Sequence, residues 1–277
     1  AAASRSATAA STAAGCTTKS ADSPMLIPLL LAGALVSLHT ALPLPAQADP
    51  SQPMARYFGM RHGESVPSSQ QRICSAMAAG IDPRNGLTER GRQEVQESSD
   101  AWIAAHGDTI RRAWQQGGLW IVSSPFSRSR ETAEILVERL QHWHRQQGPA
   151  LAIRLEAELR ERDFGRFEGQ SPSGPLYRRI WDQDAANPEG TPWGVESAAA
   201  VQRRGAALIA RLEREAAADP DRVTVLVSHG DTLKILQTSA QGQSAAAHQD
   251  ASRVKPFHTG EIRALIWTHP PAPAPGP

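Results

Sequence analysis

The sequence predicts an α/β protein: a three-layer α/β/α sandwich whose sheet is mostly parallel. Three observations carry this. Five short apolar runs of strand length are spread along the chain, and stretches with helical apolar spacing lie between them. Two of the runs end in a His-Gly pair, at the strand ends where an open parallel sheet carries its ligand-facing loops. In order, strands are expected at Arg56 to Met60, Leu119 to Val122, Leu151 to Leu155, Val223 to Val227 and Ile262 to Trp267. Helices are expected at Thr88 to Ala105, Ser127 to Trp143, Ser197 to Ala217 and Asp231 to Gln237. Residues 163–196 hold Gly, Pro, Asp and the aromatics Phe164, Phe167, Tyr177, Trp181 and Trp193 without a clean period. No linker composition brackets them, so they are expected as an excursion over one sheet edge, not a second domain. Residues 270–277 are Pro-rich and expected as a disordered tail, which sets the globular domain at 49–269.

Composition narrows the function classes. Of 277 residues, 29 are Lys or Arg and 28 are Asp or Glu, a net charge of +1, which excludes a basic nucleic-acid footprint over the whole surface. Two cysteines, Cys16 and Cys74, with no CxxC spacing, give neither a disulfide framework nor a cysteine zinc site. Residues 1–24 are mostly Ala, Ser and Thr with one acid, Asp22, as in an organellar transit peptide. The segment from Met25 to Ala48 carries no charge; its apolar core runs from Met25 to Leu38, and Ala46-Gln47-Ala48 offers a small-x-small cleavage site. That core is short against the ~20 residues of a membrane span, and Pro28, Pro43 and Pro45 interrupt the segment. Residues 1–48 are therefore expected as a cleavable leader, with no stable membrane span in the mature chain. A transit peptide ahead of a signal-like core points to the chloroplast, with the thylakoid lumen as destination; the alternatives are a mitochondrial presequence or, opening at Met25, a secretory one. Loss of residues 1–48 removes Arg5, Lys19 and Asp22 and leaves 27 basic and 27 acidic residues.

Candidate chemistry gathers at the strand ends. Arg61-His62-Gly63 follows the first strand and His229-Gly230 the fourth; one such His is commonly structural, but two at one rim point to a site. Ser123-Ser124-Pro125 ends the second strand and opens a helix carrying Arg128, whose planar fork suits a phosphate. Glu161 sits between Arg160 and Arg162, where standing alone it reads as a surface ion pair. His142 and His144 lie two apart on a helix and read as surface residues, not metal ligands.

Together these segments resemble the histidine phosphatase superfamily, in its phosphoglycerate mutase-like branch. The nucleophile motif appears as Arg61-His62-Gly63-Glu64. The Ser-Pro-x-x-Arg motif appears as Ser124, Pro125 and Arg128 with Thr132-Ala133, the acid motif as Leu159-Arg160-Glu161 through Gly165, and the second histidine as Ser228-His229-Gly230. The order is the family's, over about Arg56 to Trp267, and the spellings are closest to plant and algal phosphoglycerate mutase-like proteins. Two positions depart: Ser68 stands where many members have Asn, and Gly194-Val195-Glu196-Ser197 replaces Gly-Gly-Glu-Ser, with Ser197 as a helix N-cap.

The resemblance implies metal-independent, cofactor-free hydrolysis of a small phosphorylated metabolite. It makes His62 the nucleophile and Glu161 the acid; Arg61, Arg128 and a protonated His229 bind the phosphate. Asp231 is a helix cap first and a rival acid second. After Glu64 the sequence lacks the Trp-Asn continuation of mutases. A mutase-type phosphotransferase and a catalytically weak phospho-ligand-binding regulator remain the alternatives. G-x-S-x-G and P-loop motifs are absent from the sequence.

Overall fold

The computed structural model describes residues 56–267 apart from 146, 147, 217, 218, 220 and 251. The leader 1–48 and the tail 270–277 lie outside the described residues. Strand β1 (Arg56–Arg61) leads through the short helices α1 (Val66–Ser69) and α2 (Met77–Gly80) to the long α3 (Glu89–Gln115). Then come β2 (Leu119–Ser123), α4 (Ser127–Trp143), β3 (Ile153–Leu155), α5 (Gly174–Ala186) and α6 (Ala198–Glu215). Strand β4 (Val223–Ser228), α7 (Gly230–Ala240) and β5 (Ile262–Leu265) complete the order.

The sheet order is β3-β2-β4-β1-β5. All pairs are parallel except β1 with β5, so the sheet is mixed and mostly parallel, as expected. Its two faces follow from side-chain alternation. Phe58, Met60, Ile121, Val223, Val225 and Val227 pack with Val95, Trp102 and Ile110 of α3 and Leu136 and Leu140 of α4. Tyr57, Val122 and Leu226 face the other way, onto Leu208, Ile209 and Leu212 of α6 and Leu233 and Leu236 of α7. Every residue of β4 is buried, which fits its central place.

Helix α3 begins where the sequence says, with the Thr88 hydroxyl accepting from Gly91 N–H at 3.0 Å. It runs ten residues beyond the expected Ala105, through Gly107. Ile110, Ala113 and Trp114 bury against the core there, and that packing outweighs the roughly 1 kcal/mol helix penalty of a glycine. The excursion holds the 13-residue helix α5, which the sequence left unassigned. Its inward positions include the buried acid Asp184 beside Ile180, so hydropathy alone shows no stripe.

The loop after β1 is clamped at Gly63. A Cβ there would lie 2.3 Å from the Gly91 carbonyl oxygen at the start of α3. Gly63→Ala is therefore expected to lower stability by about 1–3 kcal/mol, read as a thermal-midpoint shift, because backbone has to move to admit the methyl.

Candidate active site

His62 follows the last residue of β1 and is buried. Its Nδ1 lies 2.8 Å from the Gly63 carbonyl, which accepts the ring N–H and so leaves Nε2 unprotonated. Arg128 Nε donates to that Nε2 at 3.1 Å. Burial, then Arg128 and Arg61, hold the imidazole well below the usual value of 6.5, so it is neutral. The Gly63 N–H donates to Thr132 Oγ1 at 3.3 Å and Thr132 Oγ1 donates to the Arg128 carbonyl at 2.8 Å, so Thr132 couples the nucleophile loop to α4.

Arg128 lies in the first turn of α4, only 4% exposed. One arm is fixed by donation from Nη2 to the Cys74 carbonyl at 2.9 Å, and its guanidinium stacks over Phe126. The Cys74 loop is braced in turn by Glu168, which accepts from Ser75 N–H at 2.8 Å and Ser75 Oγ at 2.7 Å. Arg61, the last residue of β1, donates from Nη1 to the Phe257 carbonyl at 2.8 Å.

His229 caps the N-terminus of α7 with its ring centroid 5.1 Å from that of His62. Its Nε2 lies 2.8 Å from Ser124 Oγ and 3.2 Å from Ser129 Oγ. Burial first, and then Arg128, His62, Arg204 and Arg61, push its pKa well below 6.5. Three guanidiniums and complete burial thus disfavour a cation on His229 by itself; the protonated His229 of the sequence reading is one that acts on a phosphate.

Glu161 sits at the same N-terminus, half-buried. Its Oε1 accepts from Arg162 N–H at 2.9 Å and from Thr232 N–H and Oγ1 at 3.2 Å each. No ion pair to Arg160 or Arg162 forms; Arg160 goes to Glu196 at 2.7 Å. Burial and the Asp231 charge raise the Glu161 pKa above the usual 4.5, against the opposing pull of Arg128. The turn beyond it requires Gly165, which has φ +53° and would press a Cβ to 2.4 Å from the Gly194 backbone.

Asp231 is not the cap of α7. It lies inside the first turn, and its Oδ2 takes Arg162 Nη1 at 3.2 Å. Arg162, 1% exposed, also makes a bidentate pair with Asp184 at 2.7 Å for both bonds, and His248 Nε2 reaches Asp184 at 3.0 Å. This buried chain joins the acid loop, α5 and α7. Ser68 is spent locally, since its Oγ donates to the Ser65 carbonyl at 2.8 Å and accepts Ser65 N–H at 2.7 Å in a capping box. Ser197 caps α6 as expected, accepting Ala200 N–H at 3.1 Å. His142 is exposed, and His144 packs on Trp114 with centroids 4.9 Å apart.

The five residues singled out by sequence therefore share one rim, at the carboxyl ends of β1 and β4 and the N-termini of α4 and α7. Sequence reasoning assigned no role to the supports: Ser124 and Ser129 on His229, the Cys74 carbonyl on Arg128, and the Arg162–Asp184–His248 chain. Ser124 lay within a quoted motif, but its hydroxyl's target depends on a fold contact 105 residues away. Among the described residues, three buried nitrogens of this group lack a hydrogen-bond partner: Arg61 Nε, Arg128 Nη1 and His229 Nδ1. Orphaned buried donors are costly, so the two guanidinium N–H groups beside the His62 imidazole, with the unpartnered His229 Nδ1 near them, mark an anion site.

A search of curated proteins finds no match. Among solved structures, a mycobacterial glucosyl-3-phosphoglycerate phosphatase complexed with VO3 aligns with TM-score 0.56 and 23% identity, over 78% of this chain and 99% of that one. A putative alpha-ribazole-5'-P phosphatase from Escherichia coli aligns with TM-score 0.51 and 19% identity, over 76% and 89%. YhfR of Bacillus stearothermophilus aligns with TM-score 0.53 and 17% identity, over 80% and 98%. At these identities the likeness is one of fold. The family model for the histidine phosphatase superfamily (branch 1) matches residues 58–268, about three quarters of the sequence, and the chain belongs to that superfamily.

Proposed function

We propose that this protein is a metal-independent phosphomonoester hydrolase that works through a phosphohistidine on His62. The observation that carries the reading is the neutral His62 imidazole, its Nε2 left unprotonated because Nδ1–H donates to the Gly63 carbonyl, beside two partnerless buried guanidinium N–H groups. A fold neighbour solved as a complex with VO3 adds support. A bound phosphate dianion takes Arg61 Nε and Arg128 Nη1, and its charge raises the His229 pKa until the Nδ1 protonates and donates as well. The Arg128 Nε–H passes from His62 Nε2 to a phosphoryl oxygen, which frees the lone pair.

His62 Nε2 then forms the N–P bond while the P–O bond to the alcohol breaks, and Glu161 gives its proton to the departing alkoxide. In the second half the Glu161 carboxylate takes a proton from water, the water oxygen bonds phosphorus, and the N–P bond breaks to return neutral His62 and phosphate. Burial and Asp231 raise the Glu161 pKa, which favours the protonated form that the first step needs.

Glu161→Gln tests this role by leaving group. Alkyl phosphates, whose alkoxide needs the proton, are expected to lose about 10²- to 10⁴-fold in kcat, while p-nitrophenyl phosphate loses far less in the phosphorylation step. An equal loss on both esters, with phosphoenzyme formation measured directly, would count against Glu161 as the acid. In the parent enzyme the acid limb of kcat/KM is set by His62 and falls below the ordinary imidazole pKa of 6.5, because its shift is downward. The alkaline limb is Glu161 losing its proton, above 4.5. Turnover of 3-phosphoglycerate to 2-phosphoglycerate, instead of to glycerate, would replace hydrolysis by the mutase reaction. The leader reading of residues 1–48, with a chloroplast destination, rests on their composition, and the mature N-terminus tests it.

A further inference from the structure

The excursion helix α5 brings an aromatic wall to the site. Phe164 follows Glu161 by three residues; its N–H donates to Ser75 Oγ at 2.9 Å, next to the Cys74 carbonyl that holds Arg128. Tyr177 of α5 meets Phe164 edge-on at 5.3 Å and stacks on Trp181 at 5.3 Å and 21°. The Lys234 ammonium lies over Trp181 at 4.4 Å and is tied to Gln249 Oε1 at 3.0 Å. Among the described residues the buried Trp181 Nε1 has no hydrogen-bond partner, and the Tyr177 hydroxyl makes no hydrogen bond. Asp231, Glu161, Arg61 and Arg128 all act electrostatically on Tyr177, and the two carboxylates outweigh the two guanidiniums; burial and these acids push its phenol upward.

Resting on the phosphatase reading above, we propose that Tyr177 is a specificity residue: its ring and hydroxyl carry the alcohol half of the substrate. That half is an uncharged alcohol presenting a ring face, a sugar or an aromatic, rather than a second acidic group. The two arginines that reach Tyr177 are committed to the phosphate and the Lys234 ammonium is held on Trp181 and Gln249, so a carboxylate against Tyr177 meets Asp231 and the phosphate itself, both anionic. A flat or ring-shaped neutral group instead gains apolar contact with Tyr177 and a hydrogen bond from its free hydroxyl.

The test uses the full chain, with Tyr177→Phe and Tyr177→Ala, on phenyl phosphate, glucose 6-phosphate and 3-phosphoglycerate, with vanadate inhibition as the probe of the phosphate half. Wild type is expected to favour the two ring-bearing esters over 3-phosphoglycerate at least ~10-fold in kcat/KM. Tyr177→Ala raises KM for the ring-bearing esters about 10-fold with vanadate affinity within about twofold, a contact of ~1.4 kcal/mol. Tyr177→Phe keeps phenyl phosphate and loses mainly on the sugar ester. If Tyr177→Ala leaves all three esters unchanged, or weakens ester and vanadate alike, or if wild type prefers 3-phosphoglycerate, the proposal is overturned while the phosphatase stands. A wild type with no phosphohistidine and no turnover overturns both.

Discussion

His62→Ala removes the acid-labile, alkali-stable phosphoenzyme and lowers kcat by about 10⁴- to 10⁶-fold, the size of loss seen when a covalent nucleophile is deleted. The expectation rests on one lone pair. Gly63 takes the Nδ1 hydrogen, so the only other nitrogen, Nε2, faces Arg128 and the orphaned donors. The other buried imidazole is not expected to substitute: the His229 Nε2 is held by Ser124 and Ser129, and its Nδ1 takes a proton against the bound phosphate. The variant is expected to fold, because the imidazole contributes a loop hydrogen bond rather than core packing, and to keep its affinity for vanadate through Arg61 and Arg128. Rapid quench with 32P-labelled ester, with acid and alkali lability of the trapped label, checks it. A parent protein that binds vanadate but never becomes labelled would be a phospho-ligand binder instead, and turnover surviving in His62→Ala would assign the nucleophile elsewhere.

The contrast between these catalytic groups and their supports shows what a sequence can carry. His62, Arg128 and His229 were legible because each closes a strand or opens a helix, and the strand pattern alone puts such ends on one rim. Helix α4 was placed to the residue, since Ser127 to Trp143 keeps an apolar stripe throughout. The end of α3 was missed because Gly107 reads as a stop, whereas the packing of Trp114 that overrides it is a tertiary fact. Helix α5 was invisible for a related reason: Asp184 occupies a core-facing position, and what makes it tolerable there is Arg162, 22 residues earlier. The lowered pKa of His229 was not legible, because the sequence shows the cationic candidates but not that they are buried together.

Arg162 carries the largest expected effect on stability. Its guanidinium lies between Asp184 and Asp231, all three at most 7% exposed, and it also donates from Nε to the Glu196 carbonyl at 2.7 Å. Arg162→Met keeps the apolar stem but strands two buried carboxylates, a loss of about 3–5 kcal/mol. For a domain of this size each kcal/mol is worth about 2–4 °C, so the thermal midpoint should fall by roughly 6–20 °C. The sign with pH follows from linkage. Asp184 is held below its usual range by His248 and Arg162, so the wild-type pair contributes stability above the unfolded carboxylate pKa and loses it as pH falls through the native value. Without the guanidinium the orphaned carboxylates escape their cost by protonating, so the variant's deficit should be greatest near neutrality and shrink on acidification. Adding Asp184→Asn to Arg162→Met removes one stranded charge and should return part of the stability. A deficit that is independent of pH, and not relieved by the second change, would mean that Arg162 acts through packing alone. Because the same guanidinium anchors α5 beside Glu161, the variant should also lose activity out of proportion to its folded fraction, which connects the buried ion network to the chemistry at the rim.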